Sequence, residues 1–269
     1  MFITIRRMPS AHLRTFVAFV IVGLLSSLAL ADERPKRLLL IGQGPDNHPP
    51  TTHEYLPGLE RLAKLLAGVE GLSVTVVKAD EPWTEGPELL AKADGAVLFL
   101  SEGARWCQND PRRYEALSRL AARRSGLSAI HWAIGTKDAA PITAFVKLFG
   151  GCHGGPDRKY QVVETEARPA EPRHPIATGL DAFRVRDEFY YQLKFAQPAT
   201  AIHPVLEVTI DGGPQTVAWA FDRPDGGRSF GFSGLHFDDN WRLAPYRALV
   251  VNGVLWTLGL PVGAAASGQ

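Results

Sequence analysis

Apolar positions in the first half of the chain follow two alternating rhythms. Residues 37–42 (RLLLIG), 72–77, 95–100 (GAVLFL) and 127–135 (LSAIHWAIG) are short apolar or β-branched runs, and each predicts a buried strand. Between them, residues 55–66 place Leu59, Leu62, Leu65 and Leu66 at helical spacing, and residues 87–91 predict a short helix. Asp110 and Pro111 open a further helix as N-cap acid and first-turn proline; it runs to Arg124 and ends at Ser125-Gly126. Residues 141–149 predict one more helix, stopped by Gly150-Gly151. Strand and helix alternating through short linkers predict a parallel sheet covered on both faces.

The second half changes rhythm. Residues 160–165, 183–185, 190–195 and 205–210 are short β-like pieces, and 217–221 with 228–234 predict a hairpin across DRPDGG. Residues 245–258 predict the last helix, with Leu249, Val250, Val254 and Leu258 in its apolar stripe. No internal repeat, coiled coil or second domain is visible, so residues 32–269 are expected to form a single α/β domain.

The first 31 residues stand apart. Arg6, Arg7 and Arg14 precede an apolar run over 16–30, and Ala29-Leu30-Ala31 matches a cleavage signal. The expectation is a secretory signal peptide over residues 1–31, with an uncleaved N-terminal anchor as the alternative, and hence an exported protein. The formal charge of the whole chain is +1. Near-neutrality predicts no nucleic-acid surface, and no membrane contact is expected after signal cleavage. The basic residues between Arg112 and Arg124 recur at helical spacing around Glu115, as on a solvated helix face. Cys107 and Cys152 are the only cysteines, which excludes a disulfide-dense scaffold and leaves open whether the two pair. No CxxC or HExxH motif occurs. The Gly42-x-Gly44 turn lacks a third glycine and runs into Pro45, which argues against a dinucleotide site.

Candidate chemistry gathers where strands stop. His48 and His53 follow the first strand, His131 closes the run 127–135, and His236 follows the strand 228–234 with Asp238 and Asp239 beyond it. In open α/β sheets ligands bind outside the carboxyl ends of the strands, so parallel neighbours would bring these imidazoles to one cleft. Imidazole suits proton transfer near neutral pH and metal ligation. A neighbouring carboxylate fixes its tautomer, and Asp187 and Glu188 are candidates for that role. Tyr190 and Tyr191 beside them suit a hydroxylated substrate. Trp83, Trp106, Trp132 and Trp241 lie in or beside loops and suit stacking on sugar rings. His153, in GGCHGG, either contacts substrate or serves a tight turn. His174 and His203 read as structural, and Cys152 as either a core residue or a nucleophile.

Taken together, the His-containing loop after the first strand, AIHWAIG, GGCHGG, HPIATGL followed by RVRDEFYYQLKF, and VAWAFDRPDGGRSFGFSGLH ahead of RALVVNGVLWTLGL resemble the ThuA-like (trehalose-utilisation) family. That family is a branch of the class I glutamine amidotransferase-like superfamily. The resemblance implies a flavodoxin-like three-layer sandwich with a mostly parallel central sheet, and a link to sugar catabolism. Amidotransferases place a nucleophilic cysteine after the strand matching 127–132, where this chain has His131 and Trp132. Their histidine matches His236, and the acid that follows matches Asp238 without the intervening proline. With no cysteine there, glutamine hydrolysis through a thioester is not expected.

The expectation is an exported carbohydrate-active enzyme that hydrolyses, eliminates from or isomerises a sugar or keto-sugar derivative. His131 and His236 serve as base and polariser, assisted by Asp187 or Glu188. Substrate contacts are expected from His48, His53, Trp106, Trp132, His153, Tyr191 and Asp238. A variant has a divalent metal such as zinc on His53, His131 and His236. The alternative is a non-catalytic sugar-binding or scaffold protein that relies on Trp106, Trp132, Trp241 and Tyr191.

Overall fold

A computed structural model describes residues 34–263; the signal-peptide expectation, residues 1–31, lies outside the described residues. The chain begins with β1 (Lys36–Gly42), α1 (Tyr55–Leu66), β2 (Leu72–Lys78), α2 (Gly86–Lys92) and β3 (Gly95–Phe99). It continues with α3 (Gly103–Asn109), α4 (Pro111–Ala122), β4 (Gly126–Ile130), β5 (Gly135–Thr136), α5 (Ile142–Phe149) and β6 (Gly151–Gly154). Then come β7 (Lys159–Pro169), β8 (Phe183–Tyr191), β9 (Lys194–Phe195), β10 (Ile202–Ile210), β11 (Gly213–Asp222), β12 (Arg228–Phe232) and α6 (Ala244–Thr257). Among the described residues no helix is long and apolar enough to cross a membrane.

Nine strands form one sheet in the order β2-β1-β3-β4-β12-β11-β10-β7-β8. The first five pair in parallel, in the flavodoxin-like order. From β12 outward the remaining strands are added antiparallel. These are the short β-like pieces of the second half, and the hairpin expected across DRPDGG is β11–β12. A small second sheet joins β5, β6 and β9.

Side-chain alternation sorts the parallel strands into two cores. Leu38, Leu40, Val97, Phe99, Phe230 and Phe232 face Leu59 and Leu62 of α1 and Leu249, Val250 and Val254 of α6. Leu39, Ile41, Ala96, Leu98, Leu127 and Ala129 face α2 to α5 through Leu90, Ala104, Leu117, Leu120, Phe145 and Phe149. The result is the expected three-layer sandwich.

Some boundaries differ from the sequence expectation. The fourth strand stops at Ile130, and His131–Ile134 is a tight 3-10 turn. Residues 183–185 and 190–195 are not two like strands. Phe183–Tyr191 is one strand in which exposed Arg184 and Arg186 alternate with buried Val185 and Asp187, and Lys194–Phe195 is a separate piece. Helix α3 went unpredicted because seven residues with no side-chain cap give too little periodicity to read. It packs where only glycine fits, since a Cβ on Gly103 would overlap the Ala133 carbonyl.

Candidate functional site

Parallel pairing lines up the carboxyl ends of β1, β3, β4 and β12 along one rim. Loops 43–54, 100–102 and 233–237 converge there with the turn His131–Ile134. The first and last loops are tied together across the rim. Thr52 bridges Phe237, the His53 N–H donates to the His236 carbonyl at 3.1 Å, and the Asp238 N–H donates to the Thr51 carbonyl at 2.8 Å. Thr51, His53, Glu102, His131 and Leu235 all adopt left-handed backbones, with φ of 71°, 54°, 44°, 51° and 74°. Each such residue costs ~1–3 kcal/mol, and strain of this kind clusters at functional sites.

Three imidazoles meet at the centre of the rim. His53 Nε2 lies 3.0 Å from His131 Nε2 and 3.1 Å from His236 Nδ1, and the latter two are 3.2 Å apart. The outer nitrogens fix the protonation. His53 Nδ1 is 2.9 Å from Asp46 Oδ2; a carboxylate only accepts, so Nδ1 carries the hydrogen and Nε2 a free lone pair. His131 Nδ1 donates to the Ser233 carbonyl at 2.9 Å, so its Nε2 is bare as well. Two lone pairs therefore face each other at 3.0 Å, on rings that are 2% and 0% exposed. A hydrogen bond from His236 or from the Tyr190 hydroxyl, each 3.2 Å from His131 Nε2, satisfies one acceptor. It does not relieve the contact between the two, whereas a shared cation does. Ligands ~2.0–2.1 Å from a tetrahedral zinc stand about 3.3 Å apart, close to the spacing here. The contacts to Asp46 and Ser233 are of the kind that orient metal-binding histidines. His53, His131 and His236 can thus hold one divalent cation, and Glu188 Oε1, 3.6 Å from His236 Nδ1, brings a carboxylate to the same centre.

The electrostatics agree with this arrangement. Burial opposes ionisation of Asp46, but hydrogen bonds from His53 and Tyr55 hold its carboxyl well below the usual range. Burial lowers His53, although Asp46 opposes the shift. Burial and the neighbouring imidazoles push His131 well down and His236 to about 4, so the rings are neutral near pH 7. Burial, then the charge of Asp187, pushes Glu188 up to about 7. Above the centre lies a cleft of about 250 Å³ lined by His48, His53, Trp132, His153, Glu188 and Tyr190, among others. The Tyr190 ring stacks between His131 and His153, with centroids 4.7 Å and 4.2 Å away.

The family model for ThuA, trehalose utilisation, matches residues 46–257. The chain belongs to the ThuA family. Among solved structures, a ThuA-like protein from Bacteroides uniformis shares 15% identity with a TM-score of 0.65, covering 84% of this chain and 93% of that one. A ThuA-like protein from Parabacteroides merdae shares 14% identity at a TM-score of 0.62, covering 85% and 92%. A cytoplasmic protein from Salmonella typhimurium shares 18% identity at a TM-score of 0.54, covering 82% and 98%. These likenesses carry the fold. No curated protein matches the chain.

This ThuA fold brings together His53, His131, His236 and Glu188, with His48, His153 and Trp132 around the cleft. It does not bring Trp106, Tyr191, Asp187 or Asp238 to the cleft surface. Trp106 sits on α3 in the core, donating to the Ala79 carbonyl at 3.3 Å beneath the Arg113 guanidinium. Strand alternation turns Tyr190 toward the cleft and Tyr191 away, where its hydroxyl donates to Asp211 at 2.9 Å. Asp187 is buried under loop 233–237, accepting from the Leu235 and His236 N–H groups at 2.6 Å and 3.1 Å and from the Tyr246 hydroxyl at 3.0 Å. Asp238 pairs with Arg61, one contact being 2.9 Å, so it does not form the acid–histidine pair that the amidotransferase resemblance implied. Neither cysteine lines the cleft; both are buried and free. The sequence reading missed Asp46 and Tyr55, whose hydroxyl donates to Asp46 Oδ2 at 2.8 Å; it named Tyr190 with Tyr191 but expected the substrate contact from Tyr191. An acid in the same loop, seven residues before His53, was the signal available for Asp46.

Proposed function

We propose that this ThuA protein is an exported, metal-dependent enzyme acting on a sugar or keto-sugar derivative by elimination, isomerisation or hydrolysis. The observation that supports it is the pair of bare lone pairs on His53 and His131, 3.0 Å apart with His236 completing the triangle. A bound zinc or similar ion supplies a Lewis acid for a carbonyl or hydroxyl oxygen. Glu188, at the cleft surface beside His236, takes the proton from the carbon or water that reacts. The Tyr190 hydroxyl, held un-ionised by burial, donates to a substrate oxygen. Trp132 and the face of His153 flank the sugar ring. No step passes through a thiol, since burial pushes Cys152 up to about 12 and Cys107 higher still. Export rests on the pattern of residues 1–31.

The test is elemental analysis of the purified protein by inductively coupled plasma mass spectrometry, before and after chelation. Near-stoichiometric zinc or another transition metal, lost together with activity on chelation, is the expected result. Protein that neither carries nor takes up metal overturns the metal reading.

A further inference from the structure

The part of the cleft lined by residues outside the histidine centre carries charge that the chemistry above leaves unused. Lys137, just after β5, and Arg158, just before β7, line the same cavity as Glu188 and Tyr190. The Arg158 guanidinium donates to the Gly155 carbonyl at 3.2 Å, and among the described residues no carboxylate pairs with it. The adjacent Asp157 is held by Lys194 Nζ at 3.0 Å. Lys137 Nζ stands 3.6 Å from Glu102, but Glu102 also faces Arg105 at 3.9 Å, so two cations share one acid. Arg158 is therefore a cation without an acid partner on this wall, across the cavity from Asp46 and Glu188. Aromatic faces lie beside it: Tyr160, 57% exposed, stands edge-on to both His153 and Tyr190 at centroid distances of 6.3 Å and 6.4 Å. A large ring left in solvent at the mouth of a polar cleft is an unused stacking surface.

We propose that the cleft takes a sugar bearing an oxyanion, with Arg158 and Lys137 receiving the anion and the exposed face of Tyr160 stacking on the ring. The opposite end of the ring then faces His53 and Glu188, the members of the histidine centre that line the cavity. The inference rests on the proposed function for the assignment of the cleft to a sugar. A guanidinium fork matches carboxylate and phosphate alike, so the shared chemistry is the oxyanion. The cavity, about 250 Å³, is near the ~300 Å³ lower end of ligand pockets and suits one sugar ring rather than a chain.

Calorimetric titration of the full-length protein at low ionic strength, with metal content measured on the same sample, tests this. The probes are D-glucuronate, D-glucose 6-phosphate and methyl glucoside. At least one anionic probe is expected to bind at least about tenfold more tightly than methyl glucoside. Arg158→Gln removes that preference, Lys137→Gln weakens it, and Arg158→Lys restores part of it. Methyl glucoside affinity and metal content stay unchanged in all three. Preference for glucuronate assigns a sugar carboxylate, and preference for the phosphate ester a sugar phosphate. Equal binding of all three probes, or an anion preference that survives Arg158→Gln, overturns the proposal. An anion preference in metal-free protein keeps the oxyanion subsite and removes the metal reading; bound metal without a preference does the reverse.

Discussion

At the scale of single residues, the site depends on which nitrogen of each histidine is free. Asp46 takes the hydrogen of His53 Nδ1 and the Ser233 carbonyl takes that of His131 Nδ1, so both Nε2 atoms turn their lone pairs inward. Asp46→Asn removes the charge behind His53 and is expected to weaken metal affinity ~10–100-fold while leaving the fold intact. Competition against a chromogenic chelator measures this, and unchanged affinity would argue that Asp46 only shapes the loop. His131→Ala removes a ligand outright and should abolish stoichiometric metal. The cysteines make the opposite case. Both are free and buried, and burial pushes both thiols up, Cys152 to about 12. Native protein at pH 8 should give no rapid colour with Ellman's reagent, and denatured protein should titrate two thiols. The three histidines were legible in the sequence because each falls at a strand end or in the loop that follows one. Asp46 was not, since its role depends on a loop folding back, and sequence alone could not choose between Tyr190 and Tyr191, because neighbouring strand residues differ only in the face they occupy.

At the scale of elements, β8 holds the loop that carries His236. Asp187 on β8 gathers the Leu235 and His236 N–H groups and the Tyr246 hydroxyl of α6, joining three segments through one carboxylate. Asp187→Ala leaves these buried donors without a partner, at ~1–3 kcal/mol for each one unsatisfied. The expected result is a loss of several kcal/mol in chemical denaturation, with weaker metal binding because His236 is no longer held. The carboxylate was visible in the sequence, but its position under the loop was not, because runs of charge interrupt the apolar pattern that marks a strand. At the far end of the sheet, Asp94 accepts from the Arg34 guanidinium at 2.7 Å and from the Arg37 N–H at 2.8 Å, pinning the start of β1. The Arg34 hydrogen bond, resisted by burial, lowers its carboxyl to about 2. A depressed carboxyl stabilises the fold above the unfolded pKa of ~3.9, and this contribution is lost as pH falls through about 2. Asp94→Asn should cost about 1 kcal/mol at pH 7 after allowance for solvent screening. The gap from wild type should close near the bottom of that window, and a gap unchanged between pH 7 and pH 2 would count against the ion pair.

At the scale of the whole molecule, the parallel half of the sheet could be read from sequence and the antiparallel half only in fragments. Residues 38–42 and 95–100 are buried on both faces and read as continuous apolar runs, whereas β7 leaves Tyr160 and Val162 exposed and has no such signature. The convergence expected of the three histidines is realised by joining the loop after β1 to the turn after β4 and the loop after β12, though the direct contact of their ring nitrogens was not readable. Those segments are remote in the chain, His53 and His236 being 183 residues apart, and an unfolded chain cannot present their nitrogens together. A metal bound there therefore favours the folded state alone, and its binding free energy adds to stability. With free metal about 1,000 times the dissociation constant, the gain is ~4 kcal/mol. In a domain of this size each kcal/mol moves Tm by ~2–4 °C, so chelation should lower Tm by about 10 °C. Differential scanning calorimetry with and without chelator measures it, and zinc added back should restore the original transition. His53→Ala should melt near the chelated wild type and ignore both treatments, because it lacks the site through which they act. A wild-type Tm indifferent to chelator, in protein shown to have lost its metal, would mean that the imidazoles are held by the surrounding hydrogen bonds alone.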